Sequence, residues 1–256
     1  MFRRRQAQNV ARAAILVFVS GCELAVNLAH FDDGCRPARG PSSVRIQTPE
    51  GSFCIDSTEV TNAHYAAFLT AIGSSGPTAA LPASCSAQTG FTPSQNWPAP
   101  PGTEPYPVAN VNWCQATAYC AWAGKRLCGR IGGGPIAVGN AEHDATQSEW
   151  YDVCSAGGAH AYPYGDTFDG AICGGDRGPV GARTGCVGGY PGIHDMNGDL
   201  WEWNNACDSD KPDSFCHTYG GAFDSKDDEL ACNGTPRGWT RSSTAGNIGI
   251  RCCQDI

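Results

Sequence analysis

The chain has 256 residues, with 33 glycines, 17 prolines, 15 cysteines and 41% hydrophobic residues. That much backbone punctuation excludes a helical bundle, yet the apolar content suffices for a core, so one loop-rich domain is expected. The formal net charge of -8 argues against a nucleic-acid partner, since phosphate binding needs a basic face.

Residues 1–21 read as an export signal. Arg3, Arg4, Arg5 and Arg12 make a basic start, Ala13 to Val19 an apolar run, and Val19-Ser20-Gly21-Cys22 a small-residue cleavage site. The apolar run is too short to span a hydrocarbon core of about 30 Å. A cysteine directly after that site resembles the lipobox of bacterial lipoproteins, which implies that Cys22 becomes the lipid-modified first residue. The alternative is an ordinary cleaved signal with Cys22 incidental. The expectation is an exported protein, lipid-anchored to the cell-envelope membrane and facing either the periplasm or the cell surface.

Loss of residues 1–21 lowers the 17 basic residues to 13 against 25 acidic ones, a net charge of -12. Setting Cys22 aside leaves fourteen cysteines, an even number, and no C-x-x-C pair. In an exported chain that points to disulfides rather than zinc.

Residues 22–49 show no sustained period, and Arg36-Pro37-Ala38-Arg39-Gly40-Pro41 reads as a tether, so the domain is expected to occupy 50–256. Alternation over Gly51 to Asp56 predicts a strand. Thr61 can cap a helix running through Tyr65, Phe68, Leu69 and Ile72, with Gly73 as its stop. Residues 74–107, rich in Gly, Pro, Ser and Ala, read as a long surface loop held through Cys85 and carrying Trp97. A second helix is expected from Cys114 to Ala123. The Gly-rich stretch between Leu127 and Thr146 lacks the Lys-Ser/Thr of a phosphate loop and reads as a flexible flap tied by Cys128. Thr146 and Glu149 have capping-box spacing and open a third helix through Trp150 and Val153, ending at Cys154.

Asp195-Met196-Asn197-Gly198-Asp199-Leu200-Trp201-Glu202-Trp203 organises the rest. It sets oxygen ligands between apolar anchors, and Asn197-Gly198 lets the backbone double back with carbonyls on one side. Asp195 and Glu202 can close that side around a hard cation such as calcium, which takes about six to eight oxygens. The alternative is a tight turn before a strand, with Trp201 and Trp203 as core.

The order of segments resembles the formylglycine-generating enzyme, or sulfatase-modifying factor, family. The matching stretches are Asp56 to Phe68, Pro107 to Leu127, Ser148 to Gly158, Tyr162 to Gly165, Asp195 to Trp203, Gly220 to Phe223 and Asn247 to Cys252, about 200 residues in all. The resemblance implies an α+β, loop-rich mixed fold related to C-type lectin topology and stapled by disulfides. It implies calcium at Asp195, Gly198, Leu200 and Glu202. A second family calcium site needs an asparagine where this chain has Ala171. The resemblance also pairs Cys120 with Cys252 and Cys154 with Cys232. Cys173 with Cys186 and Cys207 with Cys216 are suggested by proximity alone, and Cys253 needs a partner other than its neighbour.

Active members of that family oxidise a sulfatase cysteine with copper(I) held by two cysteines five residues apart, because a soft ion prefers thiolates. The corresponding segment here, Asp224 to Leu230, contains no cysteine, and Ser225 stands near the first position. Copper is therefore not expected, and the acidic run of that segment reads as a solvated loop. No histidine pair has metal-ligand spacing, and no G-x-S-x-G elbow is present.

Three readings follow. The first is a lipid-anchored binding or assembly module without oxidase activity, stabilised by calcium and facing an envelope protein or a glycan. The second is an oxidase acting on an exported protein thiol. The third is a carbohydrate-binding module using Trp97, Trp201, Trp203 and Trp239.

Overall fold

The computed structural model describes residues 34–36 and 38–256. The export signal and Cys22 lie outside these residues. Two four-stranded sheets carry the fold. The first runs β1 (Ser43–Thr48), β2 (Gly51–Asp56), β8 (Cys252–Asp255) and β3 (Arg126–Leu127), all antiparallel. The second runs β6 (Arg237–Thr240), β5 (Phe215–Tyr219), β4 (Trp201–Cys207) and β7 (Ile248–Ile250), with β4 and β7 parallel. Helices α1 (Asn62–Ile72), α2 (Trp113–Trp122) and α3 (Glu149–Ser155) pack around them.

Helix α1 follows its sequence closely. Thr61 accepts from the His64 amide, Gly73 ends the helix with φ +50°, and Tyr65, Phe68 and Ile72 form the buried stripe. Each such side chain withdrawn from water contributes about 1.5–3 kcal/mol. They meet Tyr119 of α2, whose ring stacks on Tyr65 at 5.6 Å, and a core floor built from Trp201, Trp203, Ile248 and Ile250. A second cluster joins Ile46, Phe53 and Ile55 to Trp150, Val153, Ile193 and Met196.

Three expectations are corrected. Residues 22–49 are not a tether throughout, because β1 occupies 43–48 and pairs along its whole length with β2. Cys35 is bonded to Cys54, the Arg39 amide donates to Ala123 O at 2.9 Å, and the buried Lys125 ammonium holds Pro41 O at 2.8 Å. The alternation of β1 is short, and its contacts lie more than a hundred residues away in places, so no local period announces this docking.

The stretch between Leu127 and Thr146 is packed, not a flap. Ile131 and Ile136 are buried, Cys128 is bonded to Cys253, and the Ile136 amide donates to Asn205 O at 2.9 Å. Its glycines permit tight turns as much as motion.

The α3 cap is Ser148, which accepts from the Tyr151 amide at 3.2 Å. Thr146 and Glu149 form no capping box, because Glu149 is drawn instead to Arg126, at 2.6 and 2.7 Å, and to the Gly129 amide at 2.9 Å. A buried carboxylate finds a guanidinium a stronger partner than an exposed helix end.

Seven disulfides join the described cysteines: Cys35–Cys54, Cys85–Cys114, Cys120–Cys252, Cys128–Cys253, Cys154–Cys232, Cys173–Cys186 and Cys207–Cys216. Adjacent Cys252 and Cys253 thus tie β8 to α2 and to the start of the packed insertion.

Candidate metal centre

The loop before β4 is held in place from both ends. Trp203, inside the core, donates through Nε1 to Val111 O at 2.9 Å, and the Gly198 amide donates to Gly220 O at 3.0 Å. Asp195 and Asp199 adopt left-handed backbone at φ +56° and +43°, a conformation that aspartate tolerates better than most non-glycine residues. At Gly198, with φ +83°, a Cβ would stand 2.0 Å from Cys173 O, so no other residue fits there.

Of the four residues expected to hold calcium, all are buried. Glu202 already has partners at both oxygens: Oε1 accepts from Arg251 Nε at 2.8 Å and Oε2 from Trp150 Nε1 at 2.7 Å. Asp195 accepts from the Gly181 amide, and its backbone oxygen accepts from Arg251 Nη2 at 2.9 Å. Among the described residues, the carbonyl oxygens of Gly198 and Leu200 accept no hydrogen bond. Buried carbonyls left in that state are uncommon, and a cation is one way to satisfy them.

A residue the sequence reading passed over completes the cluster. Glu59 lies beyond β2, is fully buried, and neither of its carboxylate oxygens has a hydrogen-bond partner. Burial raises its pKa well above the usual range, and the nearby charges of Asp199, Glu202 and Asp195 raise it further against the pull of Arg251. Burial likewise raises Asp195, Asp199 and Glu202. Asp199 has the Arg183 guanidinium 3.4 Å away and the Gly178 amide at 3.2 Å.

Four carboxylates lie in one buried region and Glu59 is wholly unpartnered, although no three of them bring an oxygen each within 4.8 Å of the others, so an oxygen-only donor set here has to draw on backbone carbonyls as well. Such a set suits a hard cation rather than a soft one. The one signal for Glu59 in the sequence was an acid between Thr58 and Val60, directly after a buried strand.

The ligand atoms of Cys128, Glu149 and Cys253 also lie within 4.8 Å of one another. The two sulfurs are bonded together and Glu149 is bound by Arg126, so this group is closed.

The segment after the Gly220-Gly221 pair packs under the same loop. Gly220 has φ +94°, and a Cβ there would stand 2.6 Å from Met196 O. The Ser225 hydroxyl accepts from the Ala222 amide at 3.0 Å, and Leu230 is buried with its carbonyl accepting from Asn197 Nδ2. Glu229 pairs with Arg237, Asp224 accepts from Asn247 Nδ2 at 3.1 Å, and Asp227 and Asp228 are exposed. Cys232 is bonded to Cys154.

Of the tryptophans considered for sugar stacking, Trp201 and Trp203 are core residues, 1% and 0% exposed, and are unavailable to a ligand. Trp97 and Trp239 are half-buried.

Two small sheets, three short helices and long ordered loops define a mixed α/β fold of the sulfatase-modifying factor type. The family model for the sulfatase-modifying factor enzyme 1-like domain matches residues 2–256, and the chain belongs to that family. The inactive C-alpha-formylglycine-generating enzyme 2 of Bos taurus is 29% identical over 167 residues, covering 57% of this chain and 50% of that protein. The hercynine oxygenase of Mycolicibacterium smegmatis is 34% identical over 116 residues, covering 41% of this chain and 22% of that protein. The chain therefore spans half the length or less of these two relatives. Among solved structures, CarF superposes with a TM-score of 0.55 at 18% identity, covering 80% of this chain and 87% of CarF. PvdO from Pseudomonas aeruginosa superposes with a TM-score of 0.53 at 17% identity, covering 86% and 90%. These likenesses concern the fold.

Proposed function

We propose that this domain is a binding or assembly module of the sulfatase-modifying factor family that lacks copper-dependent oxidation. The observation that carries this reading is the chemistry of the segment after Gly220-Gly221. Ser225 stands where a first thiolate would be needed, the position five further on is the buried Leu230, and Cys232 is consumed by Cys154. A hydroxyl and an alkyl chain are poor ligands for copper(I). All fourteen cysteines from Cys35 to Cys253 are paired, so no described thiol is left to substitute. A relative whose name includes the word inactive accords with this reading.

Calcium is the proposed structural ion of the loop at Asp195, Gly198, Leu200 and Glu202, with Glu59 as an added carboxylate. Support comes from the free oxygens of Glu59, Gly198 and Leu200. When bound, the ion supplies positive charge to a buried acidic cluster and fixes the loop. The module is proposed to be exported and lipid-anchored through Cys22, the one cysteine left over when the other fourteen pair. Seven disulfides accord with an oxidising compartment. No helix among the described residues is long and apolar enough to cross a membrane.

The test is a thiol count on unreduced, denatured protein, followed by copper(I) titration and incubation of a sulfatase-derived cysteine peptide under air. The expected results are no titratable thiol between residues 35 and 253, no stoichiometric copper(I) binding and no aldehyde. Conversion of the peptide to an aldehyde overturns the reading.

A further inference from the structure

A cavity of about 250 Å³ lies between the long loop ahead of α2 and the segment around Arg177. It is smaller than the roughly 300–1,000 Å³ of sites for drug-sized ligands, so it has room for about one ring. Its lining includes Gln95, Asn96, Trp97, Tyr106, Asn110 and Arg177. None of these belongs to the acidic loop or to the segment after Gly220-Gly221.

The lining is prepared for a ligand in three ways. Asn110 is 4% exposed and sits at φ +61°, with its backbone bonded to Ala245 O at 3.0 Å and to the Ser94 amide at 2.9 Å. Its side chain lines the cavity, as does Arg177, whose buried Nε has no hydrogen-bond partner among the described residues. Trp97 is held edge-on against Tyr65 at 5.9 Å, which leaves the half-buried indole as a firm wall. Arg177 donates through Nη2 to Pro107 O at 2.8 Å and through Nη1 to Gly246 O at 3.4 Å. A guanidinium has five N–H donors, so these two bonds leave others unused. Glu59 and Asp199 act on it through space, and no carboxylate among the described residues is bonded to it.

We propose that this cavity binds a single hexuronic-acid residue, with the ring against Trp97, hydroxyls on the amides of Asn110, Asn96 and Gln95, and the carboxylate on Arg177. An aromatic wall with amides that both donate and accept suits a ring of hydroxyls. A fixed guanidinium with spare donors suits a planar carboxylate. The net charge of -8 sets the whole chain against a polyanion, which is why one carboxylate fits and a sulfated or highly acidic polymer does not. The inference goes beyond the proposed function, which names no ligand. The two fail separately, because thiol count and copper titration do not depend on this cavity.

The experiment is saturation-transfer NMR on the disulfide-intact protein with galacturonate and glucuronate, using galactose and glucose as neutral matches. The acids are expected to bind with roughly millimolar affinity and at least about tenfold better than their neutral matches. In Arg177→Gln the advantage of the acids is expected to vanish while weak neutral-sugar signals persist. Trp97→Ala is expected to weaken every sugar. An unchanged thermal midpoint checks that each variant folds, and if Arg177→Gln does not fold, the acid-to-neutral comparison on the unaltered protein decides. Equal signals from acids and neutral sugars, or none from the acids at about 10 mM, overturn the proposal.

Discussion

Arg251 and Glu202, 49 residues apart in the chain, form an ion pair with less than 2% of either side chain exposed, and the same guanidinium spans both sheets. Its Nη1 donates to Asp56 O at 2.9 Å, at the end of β2, and its Nη2 to His194 O and Asp195 O at 2.9 Å. Removing one partner of a buried pair leaves the other charge uncompensated. Arg251→Met is expected to destabilise by about 3–5 kcal/mol, read from urea unfolding of the disulfide-intact protein. Trp150→Phe, which removes the bond to Glu202 Oε2 and part of a buried ring but leaves the ion pair in place, is expected to cost less.

Chelation is expected to lower the stability of the unaltered protein. An ion bound only by the folded state adds about 2.7 kcal/mol at a hundredfold excess over its Kd. Glu59→Gln replaces a buried, unpartnered carboxyl whose charge burial disfavours, so the variant is expected to come close to the unaltered protein in chelator and to lose most of the calcium increment. Thermal unfolding with and without calcium reads both effects. An equal increment in the two proteins removes Glu59 from the site.

His217 and Glu142 predict a bell-shaped contribution to stability. Burial would raise Glu142, but the bonds from His217, the Gly139 amide and Tyr219 outweigh it and hold the carboxyl below its usual 4.5. Its contribution is present above that value and is lost as pH falls through the lowered one. The Glu142 bond, at 2.7 Å, holds His217 above its usual 6.5, so its contribution is full below 6.5 and is lost as pH rises through the raised value. His217→Gln is expected to flatten the alkaline limb, measured as unfolding midpoint against pH.

The disulfide Cys154–Cys232 closes a separation of 78 residues and Cys120–Cys252 one of 132. Replacing either pair by serines is expected to cost roughly 3–5 kcal/mol on the chain-entropy model. The Cys154–Cys232 replacement also removes the cross-link packed against Asn197, whose Oδ1 lies 2.9 Å from Cys154 Sγ, and is therefore expected to loosen the loop and weaken calcium binding as well. A calcium titration of that double variant checks it.

Local pattern was enough for α1, whose cap, apolar stripe and stop all lie within thirteen residues, and for the presence of β2, although both faces of that strand are buried from Phe53 to Asp56. The sequence also presented the acidic loop, because Asn197-Gly198 and the flanking tryptophans are neighbours in the chain. It could not assign the partners of those acids. Glu202 is bonded to Arg251 and Trp150, Glu59 is left with none, and Ser148 rather than Thr146 caps α3. Those outcomes depend on which charges and donors are brought together across long separations, such as the 195 residues from Arg251 to Asp56. A period of two or 3.6 records how one segment meets its own neighbours, whereas a buried charge is compensated by whatever the folded chain sets beside it, and only the tertiary structure decides that.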